Sequence, residues 1–249
     1  MTPTGPSHAQ EPPAGGTGVG TPGRATADPD ALFAERERVE SARRAAAVWA
    51  QRLEEDPADF ESAWKLARAR YWLGGRNDDD TARAELESGV EAGRTAAALE
   101  PERPEGHFWM AANMGALAES FGLRAGLRYR GPIKEALERV LAIDPAFQDG
   151  SADRALGRWY HKVPGLFGGS EARSEEHLRR ALVYDPDSTA THFFLAETLL
   201  ERGHSRRGEA LAELQAVLDA PINPDWAPED REFKAKARAL LDELTGDDE

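Results

Sequence analysis

The sequence predicts an all-α protein, a helical-repeat stack (α-solenoid) of about four helix-turn-helix units with flanking cap helices. An acidic residue followed by proline recurs at spacings of 44, 44 and 41 residues, at Asp56, Glu100, Asp144 and Asp185. Proline disfavours the α conformation in the residue before it, so each pair predicts the end of a helix at the same place in a recurring unit. Between the pairs the apolar residues keep a helical period, and no stretch alternates as a strand would.

The N-terminal segment is expected to be a disordered tail. Residues 1–30 hold six prolines and six glycines, with Met1 and Val19 as their only large apolar residues. Such a segment cannot bury enough surface to offset its chain entropy. The remaining residues, 31–249, are expected to form one repeat domain. Its repeats are predicted at approximately 58–100, 102–144, 146–185 and 187–220.

The first two repeats each predict a helix A, a turn with glycine and a helix B. Repeat one has helices near 58–73 and 80–99, joined through Gly74 and Gly75. Repeat two is expected to run from Pro104 to about Gly122 and to turn through residues 126–131. Helix B then resumes at Pro132, because proline suits the first position of a helix.

The later elements follow the same pattern. Repeat three has helix A near 150–162, a loop over 163–169 and a helix B capped by Ser170. Repeat four spans about 188–219 and turns at Gly203. Helices near 31–55 and 228–244 are expected to cap the apolar faces that a repeat stack leaves at its ends.

Charge and composition exclude several classes of function. The 31 Lys and Arg residues against 45 Asp and Glu residues give a formal net charge of -14. This excess of negative charge disfavours nucleic acid and anionic membrane surfaces unless basic residues are segregated on one face, and the sequence reveals no such face. No stretch is apolar for the length of a membrane span. The sequence therefore predicts a protein or peptide partner.

Little in the sequence indicates catalysis. There is no cysteine, and the six histidines are scattered without the spacing of a metal site, so we expect no metal, no cofactor and no enzyme activity. The less favoured alternative is an enzyme that uses His161 and the loop from Pro164 to Ser170. The carboxylates are numerous, but in an acidic helical protein they are usually a solvated face.

The repeat resembles the tetratricopeptide repeat (TPR). Leu156-Gly157 followed by Tyr160 matches the Leu-Gly-x-x-Tyr element of helix A, and Ala181 and Pro186 match the end of helix B. Over roughly residues 60–244 the chain is also similar to the TatT family, the T-component of TRAP-type transporters. That similarity rests on residues 107–115, 133–137 and 156–165, followed by Gly168-Gly169-Ser170. The same segments are similar to the repeat domain of the regulator of microtubule dynamics family.

The TatT resemblance implies a function and a location. It implies a bacterial, lipid-anchored protein of the cell envelope that docks a TRAP substrate-binding protein or its ligand and can form a homo-oligomer around a pore. The chain as written has neither the signal peptide nor the anchor cysteine of that family. It is therefore expected in the cytoplasm as written, or in the periplasm and envelope if the true N-terminus lies upstream. A cytoplasmic scaffold is the alternative function.

The expected binding site is the concave surface, which helix A of each repeat lines. Alignment of the repeats on Ala67, Gly115, Gly157 and Ala196 places an aromatic and Arg-rich set on that surface. Its members are Trp64, Arg68, Tyr71, Trp109, Asn113, Arg154, Arg158, His161, Phe193 and Glu197. Trp, Tyr and Arg often anchor interfaces. The other interpretation is that these aromatic rings pack between helices and that the arginines pair with carboxylates.

Overall fold

The computed structural model describes residues 28–76 and 79–246, which form α-helices joined by turns and contain no strand. The predicted tail thus lies outside the described residues, apart from its last three. The α-helices are α1 (Pro29–Ala34), α2 (Val39–Glu55), α3 (Phe60–Gly74), α4 (Asp79–Leu99), α5 (Pro104–Ser120), α6 (Gly122–Ile143), α7 (Phe147–Lys162), α8 (Glu171–Tyr184), α9 (Thr189–Glu201), α10 (Arg207–Asp219) and α11 (Ala227–Gly246). Short 3-10 turns, Gly165–Phe167 and His204–Arg206, precede α8 and α10.

The helices pair in chain order, as a solenoid requires. Helices α3 and α4, α5 and α6, α7 and α8, and α9 and α10 pack as hairpins. Helix α5 also contacts α3 and α7, and α7 contacts α9, so the four A helices form one continuous layer. The predicted all-α helical-repeat fold is confirmed.

In the acidic-proline pairs, both the proline and the acidic side chain help to end the helix. Asp56, Asp144 and Asp185 each follow the last residue of a helix. Each carboxylate accepts a hydrogen bond from the backbone N–H two residues later, with N–O distances of 3.0, 2.9 and 3.2 Å respectively. The proline stops the helix, and the aspartate satisfies a backbone donor in the turn that follows.

Repeat two differs from its prediction. Residues 126–131 are helical, α6 continues through Pro132, and the turn lies instead at Phe121 and Gly122, where glycine adopts a φ of 79°. Proline removes one hydrogen bond from the helix interior. Two residues before Pro132, Arg130 O accepts a hydrogen bond of 3.0 Å from Trp159 Nε1 of α7. Packing against α5 and α7 therefore outweighs the poor helix propensity of this glycine-rich segment.

The N-terminal flank also differs, because the single helix expected near 31–55 is broken into α1 and α2. The intervening corner places Arg36 only 6% exposed, with its guanidinium 5.2 Å from the Trp72 ring centroid. Trp72 Nε1 in turn donates a 3.0 Å hydrogen bond to Arg36 O. The corner between α1 and α2 thus packs on α3 through Arg36 and Trp72.

Helix α11 covers the last repeat and also reaches the first. Phe233 packs against Phe194 of α9, with ring centroids 5.4 Å apart. At the start of α11, Glu229 accepts two hydrogen bonds from Arg36, at 3.2 and 2.7 Å. Further contacts join Arg36 to Asp225 O, Arg231 to Glu37, and Arg76 to Glu232. We call these the end-to-end contact. The two flanks are therefore not independent caps, because they bind each other.

Candidate functional site: the concave layer

Trp64 and Arg68 line the start of the concave layer, where α1 covers them. The Arg68 guanidinium lies 4.4 Å from the Phe33 ring centroid of α1 and 5.0 Å from that of Trp64. Asp30 is the nearest carboxylate, at 3.9 Å. Burial lowers the pKa of Arg68 to about 10, and Asp30 opposes that shift. Arg68 therefore holds α1 in place and leaves a partner limited access.

Trp109, Asn113 and Phe193 belong to the core, which corrects their prediction as groove residues. Asn113 is fully buried and its Nδ2 donates to Ala67 O and Trp109 O, at 3.0 and 2.8 Å. Trp109 is 4% exposed, and Phe193 is 9% exposed and packs on Phe233. Repeat alignment identified helix A correctly, but successive side chains on a helix point about 100° apart, so a shift of one position in the alignment changes which side chain faces the groove. The facing side could not be read from spacing alone.

His161 closes the end of α7 onto α8. Its Nδ1 lies 3.0 Å from Glu171 Oε2, and only 9% of its side chain is exposed. The loop that follows exposes Leu166 but brings no further titratable side chain to this pair. In the part of the chain that the structure describes, no group of three or more potential metal ligands is found.

Besides Trp64, Arg68 and His161, four predicted residues are at least partly open to solvent on the concave layer, and we call these four the groove: Tyr71, Arg154, Arg158 and Glu197. Arg158 bonds Glu197 of α9 at 2.6 Å and Glu119 of α5 at 3.1 Å, so it ties three A helices together. Its guanidinium also lies 4.7 Å from the Phe194 ring centroid. The sequence signal for this network was the Arg and Glu at equivalent helix A positions.

Tyr71 and Arg154 are the groove residues with unused capacity. Tyr71 is 41% exposed, yet the surrounding walls displace water and raise the pKa of its hydroxyl, as do Glu119 and Glu229. Among the described residues no carboxylate lies within 4.0 Å of Arg154, and its one hydrogen bond is a 3.5 Å contact with Ser188 Oγ. Burial lowers the pKa of Arg154. A poorly solvated guanidinium without an ion-pair partner favours an acceptor from outside.

Sequence reasoning missed the contribution of α11 to this site. Glu229 and Asp230 influence the ionisation of Tyr71 and Arg154 respectively, so the start of α11 stands near the groove. Asp230 is 7% exposed and accepts hydrogen bonds from Thr189 Oγ1 at 2.6 Å and from Asn223 N at 2.8 Å. No local signal marks this approach, because Glu229 and Asp230 lie far along the chain from Tyr71 and Arg154.

Solved structures share the fold. TTC0263, a thermophilic TPR protein of Thermus thermophilus, superposes with a TM-score of 0.64 at 23% identity and covers 86% of this chain and 97% of its own. MamA superposes with a TM-score of 0.50 at 15% identity and covers 81% and 95%. No curated protein sequence matches the chain significantly. Neither structure supports the TatT assignment.

A family model provides the assignment. The model described as regulator of microtubule dynamics protein 1-3 matches residues 26–166, more than half of the 249 residues. The match includes α1 to α7 and therefore Tyr71, Arg154 and Arg158 of the groove. The chain belongs to the regulator of microtubule dynamics protein 1-3 family, with a TPR-like helical-repeat fold.

Proposed function

We propose that this protein is a non-enzymatic adaptor that holds a segment of a partner protein in its groove. The observation that carries the proposal is the pairing, on one concave layer, of exposed Tyr71 with Arg154, which lacks an ion-pair partner among the described residues. Tyr offers a large rigid surface, and Arg offers several directed donors, so the two together make a good interface anchor.

The chemistry of the groove specifies what the partner should offer. Arg158 is already neutralised by Glu119 and Glu197, so it contributes a fixed wall and not a free charge. Arg154 is left to donate to a carboxylate or a backbone carbonyl, while Tyr71 packs on an apolar or aromatic side chain. The preferred segment therefore presents an acceptor beside an apolar residue.

The non-enzymatic part of the proposal rests on the state of His161, the candidate catalytic residue. Its ring bonds Glu171 and is mostly buried, which suits a structural link between α7 and α8. The alternative, an enzyme centred on residues 161–170, requires His161 to meet a substrate. Replacement of His161 by Gln would abolish such an activity and would leave partner binding intact under our proposal.

Two partner identities follow from different observations. The TatT-like segments favour a TRAP substrate-binding protein or its ligand in the cell envelope. Family membership favours a partner on microtubules, because microtubule dynamics is what the family name describes. A cytoplasmic scaffold with other partners is the remaining alternative. Co-sedimentation with microtubules and titration with a purified TRAP substrate-binding protein distinguish these identities directly.

Paired substitutions test the groove. Tyr71→Ser and Arg154→Gln should each weaken capture of the partner by about 30-fold, the loss typical of an interface anchor. Tyr184→Ser is the matched control, since Tyr184 is 43% exposed but lies at the end of α8. Equal capture by Tyr71→Ser and by Tyr184→Ser would remove the groove assignment.

A further inference from the structure

The four A helices and the start of α11 close a ring around the groove. Helices α3, α5, α7 and α9 contact one another in this order, and α11 contacts α9. The ring closes where Arg76, two residues after the end of α3, pairs with Glu232 of α11. A helical-repeat stack with free ends leaves its concave surface open along one side. Here that side is occupied, so the ring limits how a bulky partner reaches the groove.

The first wall of the groove is bonded to the start of α11. Trp72, the residue after Tyr71, donates from Nε1 to Arg36 O at 3.0 Å. The Arg36 side chain in turn bonds Glu229 at 2.7 Å. Two short steps therefore lead from the tyrosine of the groove to α11.

The opposite wall is bonded to the next residue of the same helix. Asp230 accepts a hydrogen bond of 2.6 Å from Thr189 Oγ1, at the first residue of α9. Ser188, which precedes Thr189, contacts Arg154 at 3.5 Å. Adjacent residues of α11 thus hold the Tyr71 side and the Arg154 side of the groove together.

The apolar core is divided between the two halves that this contact joins. One large cluster of buried apolar side chains comes from α1 to α7, and a second comes from α8 to α11. At the end-to-end contact the halves meet again through ion pairs and through Trp226, which packs on the first cluster. Arg231 and Glu37 are 54% and 56% exposed, and such pairs are weak. This join is therefore easier to open than either core.

We propose that the end-to-end contact is a latch, which closes the groove in the free protein and opens to admit a partner segment. The inference rests on the proposed adaptor function, since the latch regulates the same groove. Opening returns both members of each ion pair to water, and the hydration they regain offsets most of the lost attraction. A partner that fits only the open ring then shifts the population toward that state.

The reactivity of a thiol in the groove measures this opening without any partner. The chain contains no cysteine, so Tyr71→Cys introduces a single thiol. Its reaction rates are compared for N-ethylmaleimide, a small reagent, and for a maleimide carried on a long polyethylene glycol chain. Tyr184→Cys is the matched control, because Tyr184 is 43% exposed and Tyr71 is 41% exposed, but Tyr184 ends α8, outside the layer of A helices. The ratio of the large reagent's rate to the small reagent's rate should be lower at position 71 than at position 184.

Charge reversal at the latch should raise this ratio. Arg231→Glu places a carboxylate against Glu37 and should raise the ratio at position 71 about fivefold, because a repulsion between exposed charges replaces an attraction. Glu37→Arg in the same chain restores an ion pair and should restore the low ratio. Arg94→Glu is the control, since it changes the net charge equally but removes a pair with Glu91 inside α4.

Three results would overturn the latch. They are an equal ratio at positions 71 and 184 in the wild-type background, an unchanged ratio in Arg231→Glu, and an equal rise in Arg94→Glu. The adaptor function can fail separately. Variants that behave as expected in a protein that captures no partner would support the latch and refute only the adaptor function.

Discussion

The end-to-end contact should make a large contribution to stability through one arginine. The Arg36 side chain is 8% exposed, and Glu229, which it meets in a two-bond pair, is 26% exposed. Arg36 also donates a 2.7 Å bond to Asp225 O. Removal of one partner from a buried ion pair costs about 3–5 kcal/mol, and the partial exposure of Glu229 points to the lower end. We therefore expect Arg36→Gln to destabilise the protein by about 3 kcal/mol.

The assay is urea or thermal unfolding, with Arg38→Gln as the control. Arg38 is two residues away, 72% exposed and paired with Glu35, so its loss should change stability by less than about 0.5 kcal/mol. For a domain of this length, about 3 kcal/mol corresponds to a fall in Tm of roughly 6–12 °C. A double-mutant cycle of Arg36→Gln with Glu229→Gln should show coupling of about 2 kcal/mol. Additive effects, or equal effects at positions 36 and 38, would refute the reasoning.

Two further predictions concern single sites. Gly89→Ala would place a Cβ 2.1 Å from Asn113 Oδ1, so we expect a loss of about 1–3 kcal/mol in unfolding experiments, whereas Gly115→Ala meets nothing within 4 Å and should be neutral or stabilising. Equal effects of the two would exclude close packing as the cause. Burial lowers the pKa of His192, but its bonds to Glu213 and to a backbone carbonyl raise the pKa more, so the net shift is upward. Its stabilising contribution should be complete below pH about 6.5 and should disappear as pH rises through the folded-state pKa. The free energy of unfolding followed against pH should lose this step in His192→Gln, and an unchanged profile would argue against it.

Local signals were sufficient to predict the fold class. The regular spacing of acidic-proline pairs predicts helix ends, and the structure ends helices at Asp56, Asp144 and Asp185. The proline and the acidic residue before it each act within a few residues. The proline acts through its steric effect, and the carboxylate accepts a hydrogen bond from the backbone. A local signal also predicted the N-cap of α8 correctly. The Ser170 side chain accepts a hydrogen bond from Arg173 N.

The candidate site was predicted less completely. Helix A positions were identified, but Asn113 and Phe193 are core residues, whereas Tyr71 is exposed and Arg154 is partly exposed. The side of a helix that faces a neighbour depends on the crossing of the two helices. The glycine-rich start of α6 shows the same dependence. Its propensity favours a turn, and contacts from α5 and α7 make it helical.

By itself, the sequence determined that this chain is a stack of helical repeats, since proline placement and apolar period are encoded residue by residue. Only the tertiary structure decided that α11 returns to Arg36, and that Trp159 of α7 bonds Arg130 O of α6. The physical reason is separation along the chain: Arg36 and Glu229 are 193 residues apart, and no local pattern records that they will share a bond.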